Sequence, residues 1–249
     1  MLTTGLDIGS RTTKVAVVED GRLVHSRVVD TGTDPLARAR ELLDGHDGLT
    51  VATGYGRHLA REKLGLPVIT EIKAHALGAS RLFPQCRTVI DIGGQDSKVI
   101  RVEKERQVNF EMNDRCAAGT GRFLEVMAMT LGYTLAEFGS EALKAQESAN
   151  INSMCTVFSE SEVVSLIAAG KSKQSIALGL HESIVNRLLA LVGRVGAEQQ
   201  VVITGGVALN PCIRTLLERR LGLRLLVPEG PQIVGALGAA LSVRNGSAH

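Results

Sequence analysis

The sequence predicts an α/β protein built from two duplicated lobes that face each other across a cleft. Three observations carry this. A shift of 84 residues without a gap lays Asp7 on Asp91, Ile8 on Ile92, Gly9 on Gly93, Lys14 on Lys98 and Val15 on Val99. Val18, Glu19, Arg22 and Val24 then meet identical residues at 102, 103, 106 and 108, and Thr13 faces Ser97. An internal repeat sets architecture before any single element does. Each copy is a β-hairpin with an acidic Asp-Ile-Gly corner, so two facing halves would bring both corners to one cleft. Finally, segments of strand pattern alternate with segments of helical pattern, and a third glycine corner follows the buried-type run Val201–Thr204.

The elements follow in order. Leu6-Asp7-Ile8 ends a strand at the Gly9 turn, residues 14–18 return as a second strand, and Glu19-Asp20-Gly21 signals a hairpin into a third over 22–28. A helix over Pro35–Leu43 leads to a strand at 50–53 that empties into the Gly54-Tyr55-Gly56 loop, and residues 70–83 form another helix. The hairpin recurs over 88–108, its mixed-sign Glu103-Lys104-Glu105-Arg106 a solvated turn. Apolar residues from Phe123 to Met129 recur at helical spacing, Ser159-x-x-Glu162 reads as a capping box, and the amphipathic stretch 178–195 belongs to the core. Asn210 caps a helix opened by Pro211, and Pro231-Gln232 precede a closely packed final helix rich in small residues. The division this implies is a first lobe at 1–85, to which a helix over 233–249 returns, and a second at 86–232.

With 249 residues the chain can bury a substantial core, and 28 Lys plus Arg against 26 Asp plus Glu name no polyanionic partner. Five Phe, two Tyr and no Trp leave little for base stacking, so nucleic acid is not an expected partner. Four irregularly spaced cysteines do not read as a disulfide framework, and the start, Met1-Leu2-Thr3-Thr4-Gly5-Leu6-Asp7, without a basic region and with an early acid, is not expected to be a signal peptide. The apolar run at 233–241 is too short to span a bilayer. No membrane role is expected, and a reducing cytoplasm is the default location.

The corners point to phosphate chemistry. Turns without Cβ atoms let a phosphate approach main-chain N–H groups, here at Gly93, Gly94, Gly205 and Gly206, and Ser10, Thr12 and Thr13 add hydroxyls to the first loop. Lys14 supplies a cation. Asp7 and Asp91 would repel a triphosphate unless a cation lies between, so they most naturally hold Mg²⁺, through its waters. Gln95 could orient the attacking water, and Arg11 and Gln232 complete the candidate nucleotide-binding set. Lys98 is expected to be a solvated strand residue, and His75 and His181 ordinary helix residues. Cys116 and Cys155 each stand just ahead of a helix start, where the dipole favours thiolate and hence metal binding. Two thiolates do not close a site: zinc or an iron-sulfur cluster wants four, which a symmetric dimer would provide. Cys86 and Cys212 are expected to be packing residues.

Asp7-Ile8-Gly9-Ser10, Asp91-Ile92-Gly93-Gly94-Gln95-Asp96 and Thr204-Gly205-Gly206-Val207 resemble the two phosphate motifs and the adenosine motif of the actin/hexokinase/heat-shock ATPase superfamily. Three other segments narrow the resemblance: Ala52-Thr53-Gly54-Tyr55-Gly56-Arg57, the stretch from Asn113 through Cys116 to Leu124, and Cys155-Thr156-Val157-Phe158-Ser159-Glu160-Ser161-Glu162. These look like the activator ATPases of 2-hydroxyacyl-CoA dehydratases, grouped with the ATPase subunits of benzoyl-CoA reductase. What this resemblance implies is an actin-like ATPase fold and a homodimer holding one 4Fe-4S cluster between Cys116 and Cys155 of both chains. It also implies an ATP-driven transfer of a low-potential electron from ferredoxin or flavodoxin to an iron-sulfur dehydratase or reductase. Two alternatives remain at this point: a sugar-type kinase of the same superfamily, for which paired cysteines at helix starts have no use, and a redox-inactive actin-like regulator.

Overall fold

The computed structural model describes residues 1–46, 48–152 and 156–243. The first sheet has the order β3-β2-β1-β4, from β1 (Leu2–Ile8), β2 (Thr12–Glu19), β3 (Arg22–Asp30) and β4 (Leu49–Thr53). The second has the order β7-β6-β5-β8, from β5 (Thr88–Ile92), β6 (Ser97–Glu103), β7 (Arg106–Asn113) and β8 (Val201–Thr204). In both, the first two pairings are antiparallel and the last is parallel.

The duplication seen in the sequence extends to register. Asp7 pairs with Lys14 and Asp91 with Lys98 across their hairpins, and Asp7 pairs with Thr53 as Asp91 does with Thr204. Even the irregularity repeats: the register slips between Val17 and Val18 against β3 and between Arg101 and Val102 against β7. The turns beyond both take positive φ at two central residues, Asp20-Gly21 and Lys104-Glu105, the conformation that matches the twist of a two-residue hairpin.

The helices are α1 (Pro35–Leu43), α2 (Arg57–Leu64), α3 (Glu71–Leu82), α4 (Gly121–Leu131), α5 (Leu135–Ala142), α6 (Thr156–Ala168), α7 (Lys173–Val195), α8 (Pro211–Leu221) and α9 (Val234–Ser242). Side chains alternate across each strand, so a central strand buried on both faces feeds two cores. Leu6, Ile8, Val15 and Val17 pack with Ala39 of α1, whereas Ala16 and Val18 pack with Ala236, Leu237 and Ala240 of α9. In the second sheet Ile90, Ile92 and Val99 join α4, α5, α7 and α8, while Val89, Ile100 and Val102 meet Ile72, Ala76 and Ala79 of α3. The layers therefore run helix, sheet, helix, sheet, helix, with α3 and α9 together in the middle.

Several expectations need correction. Helix α2 was not foreseen. Ser159 does not cap α6: it lies inside the helix and is buried, and the Glu162 carboxylate accepts from the Asn152 amide at 2.9 Å. Helix α7 is long and apolar enough to cross a membrane by length and composition. Half of its apolar window is buried, with Ile176, Leu180, Ile184 and Leu188 in the larger core.

Candidate functional site

Both acidic corners lie at the carboxyl ends of a parallel strand pair, where α/β sheets commonly bind ligands. Asp7 and Asp91 end their central strands almost fully buried, 4% and 3% exposed. Each turn beyond closes in the same way, with the Gly9 amide donating to Thr12 O and the Gly93 amide to Asp96 O. The glycine after the neighbouring parallel strand is held against each corner at positive φ, +91° at Gly54 and +85° at Gly205. A Cβ at Gly54 would overlap Asp7 Oδ1, and one at Gly205 would overlap Ile92 O. Backbone freedom and lack of a side chain are both required there.

The corners carry matched ion pairs. Lys14 Nζ is 3.0 Å from Asp7 Oδ2 and Lys98 Nζ is 3.4 Å from Asp91 Oδ2. Lys98 is not the solvated strand residue expected: it is 1% exposed and also reaches Asp96 Oδ2 at 2.7 Å and Glu71 Oε2 at 3.7 Å. Burial works against its charge, but Asp91, Glu71 and Asp96 together hold the ammonium above its ordinary range. Burial pushes the Glu71 carboxyl up despite Lys98. At Asp91 burial would also favour the acid, yet His75, Lys98 and the Thr204 hydrogen bond prevail and bring it down to about 2. Both corner aspartates thus sit among cations, and Asp7 Oδ1 is buried without a hydrogen-bond partner among the described residues. A buried carboxylate oxygen left over in this way fits a Mg²⁺ ion or its water, because the alternative is a desolvated, unpaired group.

His75, expected to be an ordinary helix residue, is the residue the sequence concealed. From α3 its Nδ1 lies 3.4 Å from Asp91 Oδ1 and 3.3 Å from Thr204 Oγ1, while the Thr204 hydroxyl donates to Asp91 Oδ1 at 2.8 Å. The available signal was spacing: Glu71 and His75 are four apart and so share one helix face. Gly206 and Gln232 are brought together, a Cβ at Gly206 falling 3.5 Å from Gln232 Nε2, and the Gly205 amide donates to Pro231 O. Gln95 is exposed in the turn between β5 and β6, and Ser10 and Thr12 are half-buried. Thr13 is buried with its hydroxyl on that of Thr31 at 3.0 Å. Arg11 reaches across the cleft, its Nε and Nη2 donating to Glu125 Oε1 of α4 at 3.1 and 3.0 Å.

The second acidic corner touches the cysteine segment directly. The first two amides of α4, those of Gly121 and Arg122, donate to Gly93 O and Gly94 O at 2.9 and 2.8 Å. Just upstream, Asn113 Nδ2 donates to Cys116 O and Ala118 O, and Thr120 Oγ1 to Ala117 O, fixing a tight loop that leaves Cys116 half-buried. Cys155 lies outside the described residues, and among those described no three His, Cys, Asp or Glu side chains gather as a metal set. Cys86 and Cys212 are buried, and burial raises both thiols to about 12, which suits packing rather than ligation.

Residues 4–243 match the BadF/BadG/BcrA/BcrD ATPase family. The chain belongs to that family. It is 43% identical to the (R)-2-hydroxyglutaryl-CoA dehydratase activating ATPase of Acidaminococcus fermentans, over 96% of this chain and 95% of the relative. The crystal structure of the dehydratase component A from the same organism superposes with a TM-score of 0.91 at 43% identity, covering 97% of both chains. The activator of the 2-hydroxyisocaproyl-CoA dehydratase from Clostridium difficile, solved with bound ADPNP, gives 0.87 at 40% identity over 99% of this chain and 96% of that one. A ROK family glucokinase from Streptomyces griseus, at 16% identity and a TM-score of 0.63 over 98% and 100%, shares the fold alone. The fold is the actin-like one, and a member of this family is an ATP-binding ATPase.

Proposed function

We propose that this chain is an ATP-dependent activator that passes a single low-potential electron to a partner iron-sulfur enzyme, with a 2-hydroxyacyl-CoA dehydratase as the leading partner and an aromatic-ring reductase of similar chemistry as the other. The observation that carries this reading is the bond between the corners and the cysteine helix: the second phosphate loop accepts from the first two amides of α4, and Cys116 stands in the loop that opens α4. A nucleotide-dependent shift of Gly93-Gly94 would be felt at the thiol.

In this reading ATP lies between the corners. Lys14 and the backbone of Gly93, Gly94, Gly205 and Gly206 face its phosphates, with Ser10, Arg11, Thr12, Thr13 and Gln232 completing the binding set. Asp7 and Asp91 hold Mg²⁺, which would screen the phosphate charge, and Gln95 orients the attacking water. The lobes divide at 85/86, and α9 returns to the first sheet, where Gly5 lies against Ala236 and Ala240.

Cys116 and Cys155 from each of two protomers would ligate one shared 4Fe-4S cluster, which when bound supplies one-electron storage at low potential. A homodimer is supported by α6, which follows Cys155. It leaves Phe158 68%, Val164 56% and Ile167 40% exposed, and Met129 of α4 is 74% exposed. Such an apolar surface on two adjacent helices needs a cover. Reduced ferredoxin or flavodoxin is the proposed electron donor, and a cytoplasmic setting keeps the thiols reduced.

The test is iron and sulfide content with an EPR spectrum, on protein purified without oxygen and reduced with dithionite. We expect about four irons per dimer and a reduced signal that changes with ADP or ATP. Cys116→Ser should lose the iron and keep nucleotide binding. Iron-free protein after anaerobic reconstitution would overturn the redox reading.

A further inference from the structure

We propose that His75 is a positioning residue for ATP hydrolysis, holding the Asp91 carboxylate and the Thr204 hydroxyl in the orientation the second corner needs. The inference rests on the reading that Asp91 belongs to the ATP site, and it adds a residue from a different element to that site. Asp91 Oδ2 has a cation, Lys98, but Lys98 is shared, lying closer to Asp96 Oδ2 at 2.7 Å than to Asp91 at 3.4 Å. The rotamer of Asp91 is therefore pinned at Oδ1, where Thr204 Oγ1 donates at 2.8 Å and His75 Nδ1 stands at 3.4 Å. Because the Thr204 proton is spent on Asp91, the oxygen that faces His75 Nδ1 at 3.3 Å can only accept. Nδ1 must then carry a hydrogen, which serves both oxygens.

The other edge of the ring faces the first corner. A Cβ at Gly235 would lie 3.0 Å from His75 Nε2 and 3.2 Å from Asp7 Oδ2, so the imidazole and the Asp7 carboxylate crowd the same glycine at the start of α9. The ring is wedged between the two acidic corners at 5% exposure, and water has little room to replace it. Packing alone does not call for it. Besides Ile72 and Ser80, the other buried residues of α3 are Ala74, Ala76, Gly78 and Ala79, and an apolar side chain of the ring's size would fill the same space without the cost of desolvating an imidazole.

The experiment compares Mg-ATP turnover of the full chain in wild type, His75→Ala, His75→Asn, His75→Gln and Asp91→Asn, with iron content and circular dichroism as controls. We expect Asp91→Asn to abolish turnover and His75→Ala to lower kcat about 10–100-fold with KM little changed, the size seen when a residue that orients a ligand is lost. His75→Asn, whose amide nitrogen sits near the place of Nδ1, should restore most of that loss. His75→Gln, whose amide nitrogen sits near the place of Nε2, should not. Should the alanine variant not fold, the Asn-against-Gln contrast decides alone. A His75→Ala enzyme with wild-type kcat beside an inactive Asp91→Asn, or equal rescue by Asn and Gln, overturns the inference by itself. Full turnover in Asp91→Asn would overturn the ATP-site reading, and the inference with it.

Discussion

His181 is the residue through which mild acid should reach this fold. It is fully buried on α7, its Nδ1 2.7 Å from Ala177 O and its Nε2 3.0 Å from Asn210 Nδ2, and burial pushes its pKa down from 6.5 to about 4 despite the Ala177 carbonyl. A group whose folded pKa is depressed contributes stability that is complete above its unfolded pKa and is lost as pH falls through the folded value. The window here runs from about 6.5 down to about 4, and the contribution is on the order of 3 kcal/mol. His181→Gln should lower Tm at pH 7, because two partners are disturbed, yet show a shallower fall of Tm between pH 7 and 5 than wild type. Parallel Tm curves would remove His181 from the acid response. At this scale the sequence was legible where chemistry repeats: Asp7 and Asp91 were found because a hairpin with the same acidic corner occurs twice. Lys98 and His75 were not legible. Asp91 and Asp96 meet Lys98 within one hairpin, but whether that lysine also faces water or is buried under Glu71 depends on where α3 crosses the sheet, which no local pattern encodes.

Among the elements, the crossing of α3 and α9 is the most constrained. Both helices are lined with small residues, and a Cβ at Gly238 would overlap the carbonyl oxygen of Ala74, while one at Gly78 would overlap that of Val234. Gly238→Ala removes some backbone entropy from the unfolded chain, a gain of under about 1 kcal/mol, but must separate two packed backbones, which typically costs about 1–3 kcal/mol or more. A clear loss of stability is expected in urea unfolding, and wild-type stability in this variant would show that the crossing can open freely. That packing was readable from the run of Gly and Ala at 233–241. The repeated hairpin was readable too, and even its bulge obeys the same offset. Helix α2 escaped because Arg57-His58-Leu59-Ala60-Arg61-Glu62-Lys63-Leu64 buries only Ala60 fully, so its apolar stripe is too thin to stand out from a loop. The start of α6 was misplaced because Ser-x-x-Glu has the spacing of a cap, whereas the buried Ser159 and the pairing of Glu162 with Asn152 serve tertiary contacts.

At the scale of the whole molecule, one side-chain bond between the lobes falls on the helix behind Cys116. Arg11 projects from the turn of the first corner onto Glu125, which also accepts from Arg122 at 3.1 Å, while α4 is anchored at its N-terminus to the turn of the second. Helix α4 is thereby tied to both corners, by backbone at one and by a side chain at the other. The Arg11–Glu125 pair is partly exposed, at 48% and 24%, so its contribution to stability is below about 1 kcal/mol. A bond so weak in stability can still transmit lobe position, because closing or opening the cleft must lengthen or release it. Glu125→Ala should therefore leave iron content, fold and basal ATP turnover near wild type. On the proposed cluster reading, what it should weaken is the change that ATP or ADP produces in the reduced EPR signal, since the backbone tie to Gly93-Gly94 would then act without Arg11. An undiminished nucleotide effect in Glu125→Ala would mean that the second corner alone moves the helix, and that the bond between the lobes is incidental to coupling.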